Sequence, residues 1–301
     1  MYYESKILNV ELKKAKIHYI PDVVYSQIMT FEKPVELLHM DILQPFSQKK
    51  TPAIIFITGG GFIAANRARM PQLRMFLAEH GYCVASINYR KAPNSIFPKP
   101  IEDVKSAIRF LKSHAENFNV DADQIALIGD SAGGYLTAMA ATTNGDKIFN
   151  VGENLDQTSE IFAAVDLYGV SDLRKVSDDF DDKIKKLRAR SGAVEALFLN
   201  GVPIFNGDGG SVFDNDKSAN EANPLNYINK KSAPMLLMHG SADSLVSPSQ
   251  SDLLYQALKN AGVEAERYIV PNAEHSDDYW IQDEVFELIL DFLNNHLKKC
   301  S

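Results

Sequence analysis

An alternation of short apolar runs with amphipathic helical patterns is the sequence feature that most constrains the fold. After Pro52, apolar runs of strand length such as 53-AIIFIT-58 and 125-IALIGD-130 alternate with helical patterns such as 101-IEDVKSAIRFLKSHAE-116. Near-continuous apolar strands separated by amphipathic helices are typical of a mostly parallel sheet with helices on both faces. The other runs and helical patterns of this series are 69–81, 82–89, 132–143, 163–169, 235–240, 249–262, 264–270 and 282–299.

Two regions depart from this alternation. Near the start, 17-IHYIPDVVYS-26 and 36-ELLHMDILQP-45 alternate apolar and polar residues, which predicts half-buried antiparallel strands. The segment from about 173 to 230 is rich in charge, glycine, asparagine and aspartate and lies between two predicted strands. An insertion of that length is usually a lid or a binding loop. We therefore expect a single α/β domain over 1–301 with a cap-like insertion at about 173–230.

Composition excludes several classes of function. The 301 residues carry a formal net charge of -8 with no basic stripe, which argues against nucleic acid as a partner. No segment approaches the roughly 18 apolar residues of a membrane span, and the first residues lack the apolar core of a signal peptide. The chain has two cysteines, Cys83 and Cys300, without metal-site spacing. We expect a cytoplasmic protein with no metal and no cofactor.

The segment 125-IALIGDSAGGYL-136 predicts a nucleophile. It places Gly129, Ser131 and Gly133 in a G-x-S-x-G pattern between a predicted strand and a predicted helix. Small residues at these positions permit the sharp turn that holds a serine hydroxyl exposed. The alternative is a glycine-rich turn that only packs the helix on the strand.

A serine hydroxyl needs a base to accept its proton and an acid to orient that base, and in this class the chain order is serine, acid, histidine. His275 follows a predicted strand and precedes the last helix, so we expect it at the same sheet edge as Ser131. His239 lies at the end of a buried strand, where packing and a loop hydrogen bond explain it better. Asp243 follows the strand 235–240 and is the predicted acid, with Asp172 as the second candidate.

The glycine run in 58-TGGGF-62 predicts an oxyanion-binding loop. Backbone N–H groups aimed at the oxyanion of a tetrahedral intermediate are expected from the loop after the third strand and from the residue after the nucleophile. Gly60, Gly61 and Ala132 are therefore the predicted donors. A phosphate-binding loop is excluded because neither G-x-x-x-x-G-K-[ST] nor G-x-G-x-x-G spacing is present.

Three residues are predicted to contact the substrate. Phe62 follows the predicted oxyanion loop, Asp130 precedes the nucleophile, and Phe205 lies in the insertion. For Asp130, contacts that fix the elbow or the cap are the competing interpretation. The stretch 214–225 begins like a calcium loop but has Ala219 and Leu225 where the glycine and glutamate of such a loop belong.

These motifs together resemble a known family. The segments 55-IFITGGGF-62, 125-IALIGDSAGGYL-136, 223-NPLNYINKKSAPMLLMHGSADSLVSPSQS-251 and 267-RYIVPNAEH-275 are similar to the α/β-hydrolase fold. More narrowly, they resemble hormone-sensitive-lipase-like esterases and bacterial feruloyl and acetyl-xylan esterase-like proteins. The resemblance implies Ser131, Asp243 and His275 as the triad. It also shows one departure, since Thr58 stands where the family usually has a histidine that orders the glycine loop.

The function predicted from sequence is hydrolysis of small carboxylic esters, with short acyl chains and acetylated or feruloylated carbohydrates suggested by the resemblance. An amide or formamide hydrolase with the same triad is the alternative. A binding protein on an inactive hydrolase scaffold is a third reading. The expected partner is a small-molecule ester, and a homodimer is left open.

Overall fold

The structure, a computed structural model, describes residues 5–29, 35–205 and 207–297. Within these ranges the chain forms an eight-stranded sheet. Its strands are Ile17–Ile28 (β1), Glu36–Pro45 (β2), Thr51–Ile57 (β3), Cys83–Ile87 (β4), Val120–Asp130 (β5), Ala163–Leu167 (β6), Met235–Gly240 (β7) and Ala265–Val270 (β8).

The strand order in the sheet is β1-β2-β4-β3-β5-β6-β7-β8. The pairs β1–β2 and β2–β4 are antiparallel, and every following pair from β4–β3 to β7–β8 is parallel. This confirms both the antiparallel start and the mostly parallel sheet predicted from the sequence. Because β3, β5, β7 and β8 run in the same direction, the loops that follow them meet at one edge of the sheet.

The helices occur where the sequence predicts them between the strands. The predicted helix over 282–299 is observed to His296, and its last two residues lie outside the described ranges, as does Cys300. The helices are Pro71–Glu79 (α1), Lys99–Ser113 (α2), Ala132–Thr142 (α3), Asp182–Arg188 (α4), Val194–Asn200 (α5), Asp216–Glu221 (α6), Ser249–Asn260 (α7) and Asp283–His296 (α8).

Strand β3 shows why a continuous apolar run forms a central strand. Its side chains alternate between the two faces of the sheet, and both faces are covered. Ile55 and Ile57 are fully buried in the cluster that includes α2, α3 and α7, whereas Ile54 and Phe56 are fully buried in the cluster that includes α1 and α8. The sheet therefore has a hydrophobic core on each side. Among the described residues, no helix is long and apolar enough to cross a membrane.

The predicted insertion contributes the helices α4, α5 and α6 between β6 and β7, and the first two differ in character. Helix α4 has no buried residue, whereas α5 buries Phe198 completely. The Phe198 ring stacks on Phe62, with ring centroids 4.1 Å apart, and lies edge-on to Tyr135 of α3 at 5.4 Å. Helix α5 is therefore packed against the core, whereas α4 contributes no buried side chain to it.

Helix α3 lies unusually close to β3. A Cβ atom added at Gly133 would lie 1.9 Å from the Ile57 carbonyl oxygen. A Cβ at Gly129 would lie 2.2 Å from the Gly133 carbonyl oxygen. Such distances are far below van der Waals contact, so the sharp turn between β5 and α3 requires glycine on both sides of Ser131.

Replacing Gly133 by alanine tests this packing. We expect Gly133→Ala to lower the free energy of unfolding by at least about 1–3 kcal/mol, because the new methyl group must displace the backbone of β3. Denaturant unfolding followed by circular dichroism measures the change. Gly192→Ala is the control, since a Cβ there meets nothing within 4 Å. Equal stability of the two variants would contradict the packing argument.

Candidate active site

The turn between β5 and α3 holds Ser131 in a strained backbone conformation. Ser131 has φ 54° and ψ -117°, in the left-handed half of φ space that side chains other than glycine rarely adopt. Its backbone N–H donates to the Leu167 carbonyl oxygen at 2.8 Å, and Tyr135 N–H donates to the Ser131 carbonyl oxygen at 3.0 Å. These bonds hold the serine at the edge of the sheet in the geometry of a nucleophile elbow.

The three residues predicted as a triad lie in one hydrogen-bonded line. His275 Nε2 is 2.8 Å from Ser131 Oγ, and His275 Nδ1 is 2.8 Å from Asp243 Oδ2. The carboxylate accepts the Nδ1 proton, so Nε2 is left free to accept the proton of the serine hydroxyl. The structure thus brings together three residues that are far apart in sequence, in the arrangement that nucleophilic catalysis requires.

Asp243 is held as a carboxylate. Its Oδ1 atom accepts hydrogen bonds from the Leu245 and Val246 N–H groups, each at 2.9 Å. Burial alone raises the pKa of this carboxyl, but hydrogen bonds from His239 and His275 outweigh it and keep the pKa well below its usual range. An acid in this state orients the imidazole without taking its proton.

Asp172, the second candidate for the acid, is used elsewhere. Its Oδ1 atom accepts from the Arg174 N–H at 3.0 Å and lies 3.5 Å from Arg174 Nε. It caps the short 3-10 turn Leu173–Lys175. Asp172 is therefore a loop-ordering residue in this structure, and His275 pairs with Asp243 instead.

The loop after β3 is bent by two glycines with positive φ. Gly60 has φ 140° and Gly61 has φ 58°, which favour glycine at both positions. The N–H of Gly59 donates to Asp130 Oδ1 at 2.7 Å, and the Thr58 carbonyl oxygen accepts from the Tyr89 hydroxyl at 2.9 Å. The loop is thus anchored at its start by Asp130, the residue that precedes Ser131.

The Thr58 side chain does not order this loop. Its hydroxyl oxygen is buried and has no hydrogen-bond partner within 5–29, 35–205 and 207–297. Only the Thr58 main chain contributes, through its carbonyl oxygen. The ordering that the resemblance assigns to a histidine at this position is supplied in this chain by Asp130, which receives the N–H of the next residue.

Arg69 joins three segments of the site, and sequence reasoning missed it. Its Nη2 atom lies 2.7 Å from Asp130 Oδ2 and 2.9 Å from Ser276 Oγ, and its Nε lies 3.2 Å from Asp130 Oδ2. One guanidinium therefore links the elbow, the glycine loop held by Asp130, and the loop that carries His275. No sequence pattern marks Arg69, because its partners are 61 and 207 positions away.

A cavity of about 1100 Å³ opens over Ser131. Its wall includes Ser131 with Gly61 and Ala132, two of the predicted oxyanion donors, and Phe62, a predicted substrate contact. The rest of the wall is largely apolar and comes from two segments, the end of α4 through the start of α5 and the loop after β7. These wall residues include Ile184, Leu187, Val194, Leu245 and Val246.

Two other predicted substrate contacts lie elsewhere. Asp130 is fully buried, and both of its carboxylate oxygens already bind Gly59 and Arg69. Phe205 lies in the 3-10 turn Pro203–Phe205, beyond the wall segment of the insertion. The structure therefore gives Asp130 an ordering role, which was the competing interpretation, and does not bring Phe205 to the cavity wall. Across the described ranges, no group of three or more histidine, cysteine or acidic residues is arranged to hold a metal.

The contacts of Arg69 predict that its replacement lowers kcat while the protein still folds. Arg69→Lys keeps a cation beside Asp130 but cannot bridge Asp130 and Ser276 with one planar group. We expect kcat to fall by about tenfold to a hundredfold. This is a smaller loss than the one expected when an oxyanion donor itself is removed. The matched control is Arg67→Lys, whose arginine pairs with Asp22 and Asp41 instead. Equal kcat values for the two variants would refute the role of Arg69.

The buried carboxyl group of Asp166 in β6 should make the stability of the protein depend on pH. Its Oδ2 atom is buried without a partner in the described chain, and burial raises the pKa of Asp166 from 3.8 to about 7, against the opposing hydrogen bond from Gly169 N–H. Between these two values the folded protein binds more protons than the unfolded chain, so stability falls as pH rises from about 4 to 7. Asp166→Asn should flatten this slope in denaturant unfolding, whereas Asp182→Asn, at an exposed position, should leave it unchanged.

Comparisons with known proteins agree with this geometry. A family model described as BD-FAE matches residues 40–258. The probable carboxylic ester hydrolase LipM of Mycobacterium tuberculosis is 32% identical over 75% of this chain and 49% of its own length. Esterase LipQ of the same organism is 29% identical over 76% of this chain and 51% of its own length. The chain thus spans about half the length of these relatives.

Solved structures show the same architecture. A truncated form of a carbohydrate esterase from gut microbiota is 27% identical, with a TM-score of 0.80 over 95% of this chain and 98% of that chain. An acetyl ester-xyloside bifunctional hydrolase from Caldicellulosiruptor lactoaceticus is 26% identical, with a TM-score of 0.70 over 88% of this chain and 89% of that one. With the family match over 40–258, the strand order and the elbow at Ser131, this chain belongs to the BD-FAE family and has the α/β-hydrolase fold, as its sequence predicts.

Proposed function

We propose that this protein is a serine carboxylesterase that uses Ser131, His275 and Asp243. The observation that carries the proposal is the unbroken line of 2.8 Å contacts from Ser131 Oγ through the His275 ring to Asp243, with Ser131 open to a large cavity. Relatives named as a probable carboxylic ester hydrolase and as an esterase support the same reaction class.

The reaction follows from the positions of these atoms. His275 Nε2 takes the proton from Ser131 as the oxygen attacks the ester carbonyl carbon. Negative charge develops on the carbonyl oxygen, and the backbone N–H groups of Gly60, Gly61 and Ala132 are the donors assigned to it. His275 then protonates the departing alcohol. Water, activated by the same imidazole, releases the acid from the acyl-enzyme and restores the Ser131 hydroxyl.

The cavity supports a substrate with a bulky part beyond the ester. Its volume of about 1100 Å³ exceeds what a short acyl chain fills, and its wall is apolar around the nucleophile. Structural neighbours are described as a carbohydrate esterase and an acetyl ester-xyloside hydrolase. We therefore assign esters with one bulky partner as the substrate class: short acyl esters of larger alcohols such as acetylated sugars, or feruloylated sugars, in which the acyl group is itself bulky.

Ser131→Ala tests the proposed function. Loss of the nucleophile should lower kcat for 4-nitrophenyl acetate and butyrate by about a millionfold, to background, as for other serine hydrolases. A fluorophosphonate probe should label the wild type and leave Ser131→Ala unlabelled. The control is Ser113→Ala, an exposed serine at the end of α2, which should retain both activity and labelling.

The same assay separates the competing functions. Faster turnover of N-formylkynurenine or of aminoacyl amides than of short esters would favour an amide or formamide hydrolase. A wild-type protein that neither turns over esters nor reacts with the probe would be a binding protein on a hydrolase scaffold. Activity that persists in Ser131→Ala would refute the mechanism altogether.

A further inference from the structure

A second histidine contacts the acid of the proposed triad. His239 is the penultimate residue of β7 and is fully buried. Its Nε2 atom lies 3.2 Å from Asp243 Oδ2 and 3.1 Å from the Val246 carbonyl oxygen. Both neighbours are acceptors, so Nε2 must carry a proton and donate to them.

The other nitrogen of this ring defines its charge. His239 Nδ1 is buried and has no hydrogen-bond partner in the described ranges. A proton there would be a buried donor without an acceptor, which is costly. His239 is therefore a neutral imidazole with its single proton on Nε2, aimed at the acid.

Asp243 Oδ2 consequently serves two imidazoles. It accepts from His275 Nδ1 at 2.8 Å and from His239 Nε2 at 3.2 Å. Oδ1 is fully occupied by two backbone N–H groups of the same loop. Four donors thus fix the carboxylate in position and orientation, and two of them compete for the charge on one oxygen.

We propose that His239 is a positioning residue for the ester hydrolysis, which holds Asp243 on the proposed triad and limits how strongly that carboxylate stabilises protonated His275. The inference rests on the proposed function, because it assigns a role toward the same base and acid. His239 touches neither the cavity nor Ser131, so its effect must pass through Asp243.

Removal of the His239 donor has two separate consequences. Asp243 loses one of its four donors, so His275 is less well oriented and turnover falls. At the same time, the charge on Oδ2 is left to His275 alone, which favours the protonated ring. The acidic limb of the kcat/KM profile, which reports loss of the free base, then moves to higher pH.

Other charged or titratable groups around His275 come from several elements and stay unchanged when His239 is replaced. Tyr168 at the end of β6 packs edge-on against the His275 ring at 4.8 Å. Arg69 reaches the same loop through Ser276. The remaining groups, two on the His275 loop and one beside the nucleophile, are Glu274, Asp277 and Asp130.

The experiment compares His239→Leu, which removes the donor, with His239→Gln, whose amide can still donate near the Nε2 position. We expect kcat/KM for 4-nitrophenyl acetate to fall by about tenfold to a hundredfold in His239→Leu, the effect of a hydrogen bond to a charged group. Its acidic limb should move to higher pH. His239→Gln should recover most of both, and His80→Gln, at an exposed histidine, should match the wild type.

A fall in kcat/KM with an unmoved acidic limb, or equal behaviour of the Leu and Gln variants, would overturn the proposal. If His239→Leu does not fold, the nitrogen-15 spectrum of wild-type histidines decides. His239 should show one protonated nitrogen, Nε2, at the pH of the assay, and protonation at Nδ1 would overturn the assignment. Fluorophosphonate labelling of wild-type Ser131 separates this outcome from failure of the proposed function.

Discussion

The approach of helix α3 to strand β3 is the constraint on which the rest of the site depends. Because Gly133 has no side chain, the first turn of α3 lies against the end of β3, where a methyl group would lie 1.9 Å from the Ile57 carbonyl oxygen. Strand β5 pairs in parallel with β3, with Gly129 opposite Ile57, which places Asp130 beside the loop that follows β3. Asp130 can therefore accept a hydrogen bond from the Gly59 N–H, so one contact positions both the elbow and the glycine loop.

Two buried carboxylates, Asp130 and Asp243, order different parts of the site. Asp130 is paired with Arg69 and orders the loops beside Ser131, whereas Asp243 accepts hydrogen bonds from imidazoles and backbone N–H groups beside His275. A charge inside a protein is tolerated only when its hydrogen-bonding capacity is met, so each carboxylate fixes the geometry of several loops at once. The His275 loop is reached from both sides, by Asp243 directly and by Asp130 through Arg69.

The sequence predicted the parts of the site that depend on chain order and strand ends. Ser131, Asp243 and His275 each follow a strand of the parallel sheet, so their meeting at one edge follows from the fold. Arg69 and the second contact of His239 depend on how far single side chains reach across the fold, which no spacing encodes. The Thr58 substitution indicated a change in the glycine loop, but only the structure showed Asp130 in the ordering role. The position of Phe205 outside the cavity wall could not be predicted, because the path of the insertion is not periodic.

Helix α4 forms part of the cavity wall without contributing a buried side chain to the hydrophobic core. It contributes Ile184 and Leu187 to the cavity yet has no buried residue, while Arg188 ties it to Glu195 and to the Leu245 carbonyl oxygen at 2.8 and 2.7 Å. Side chains there can change without removing apolar area from the core. Substitutions at Ile184 or Leu187 can therefore change the shape of the cavity over Ser131 while the packing of the sheet is retained.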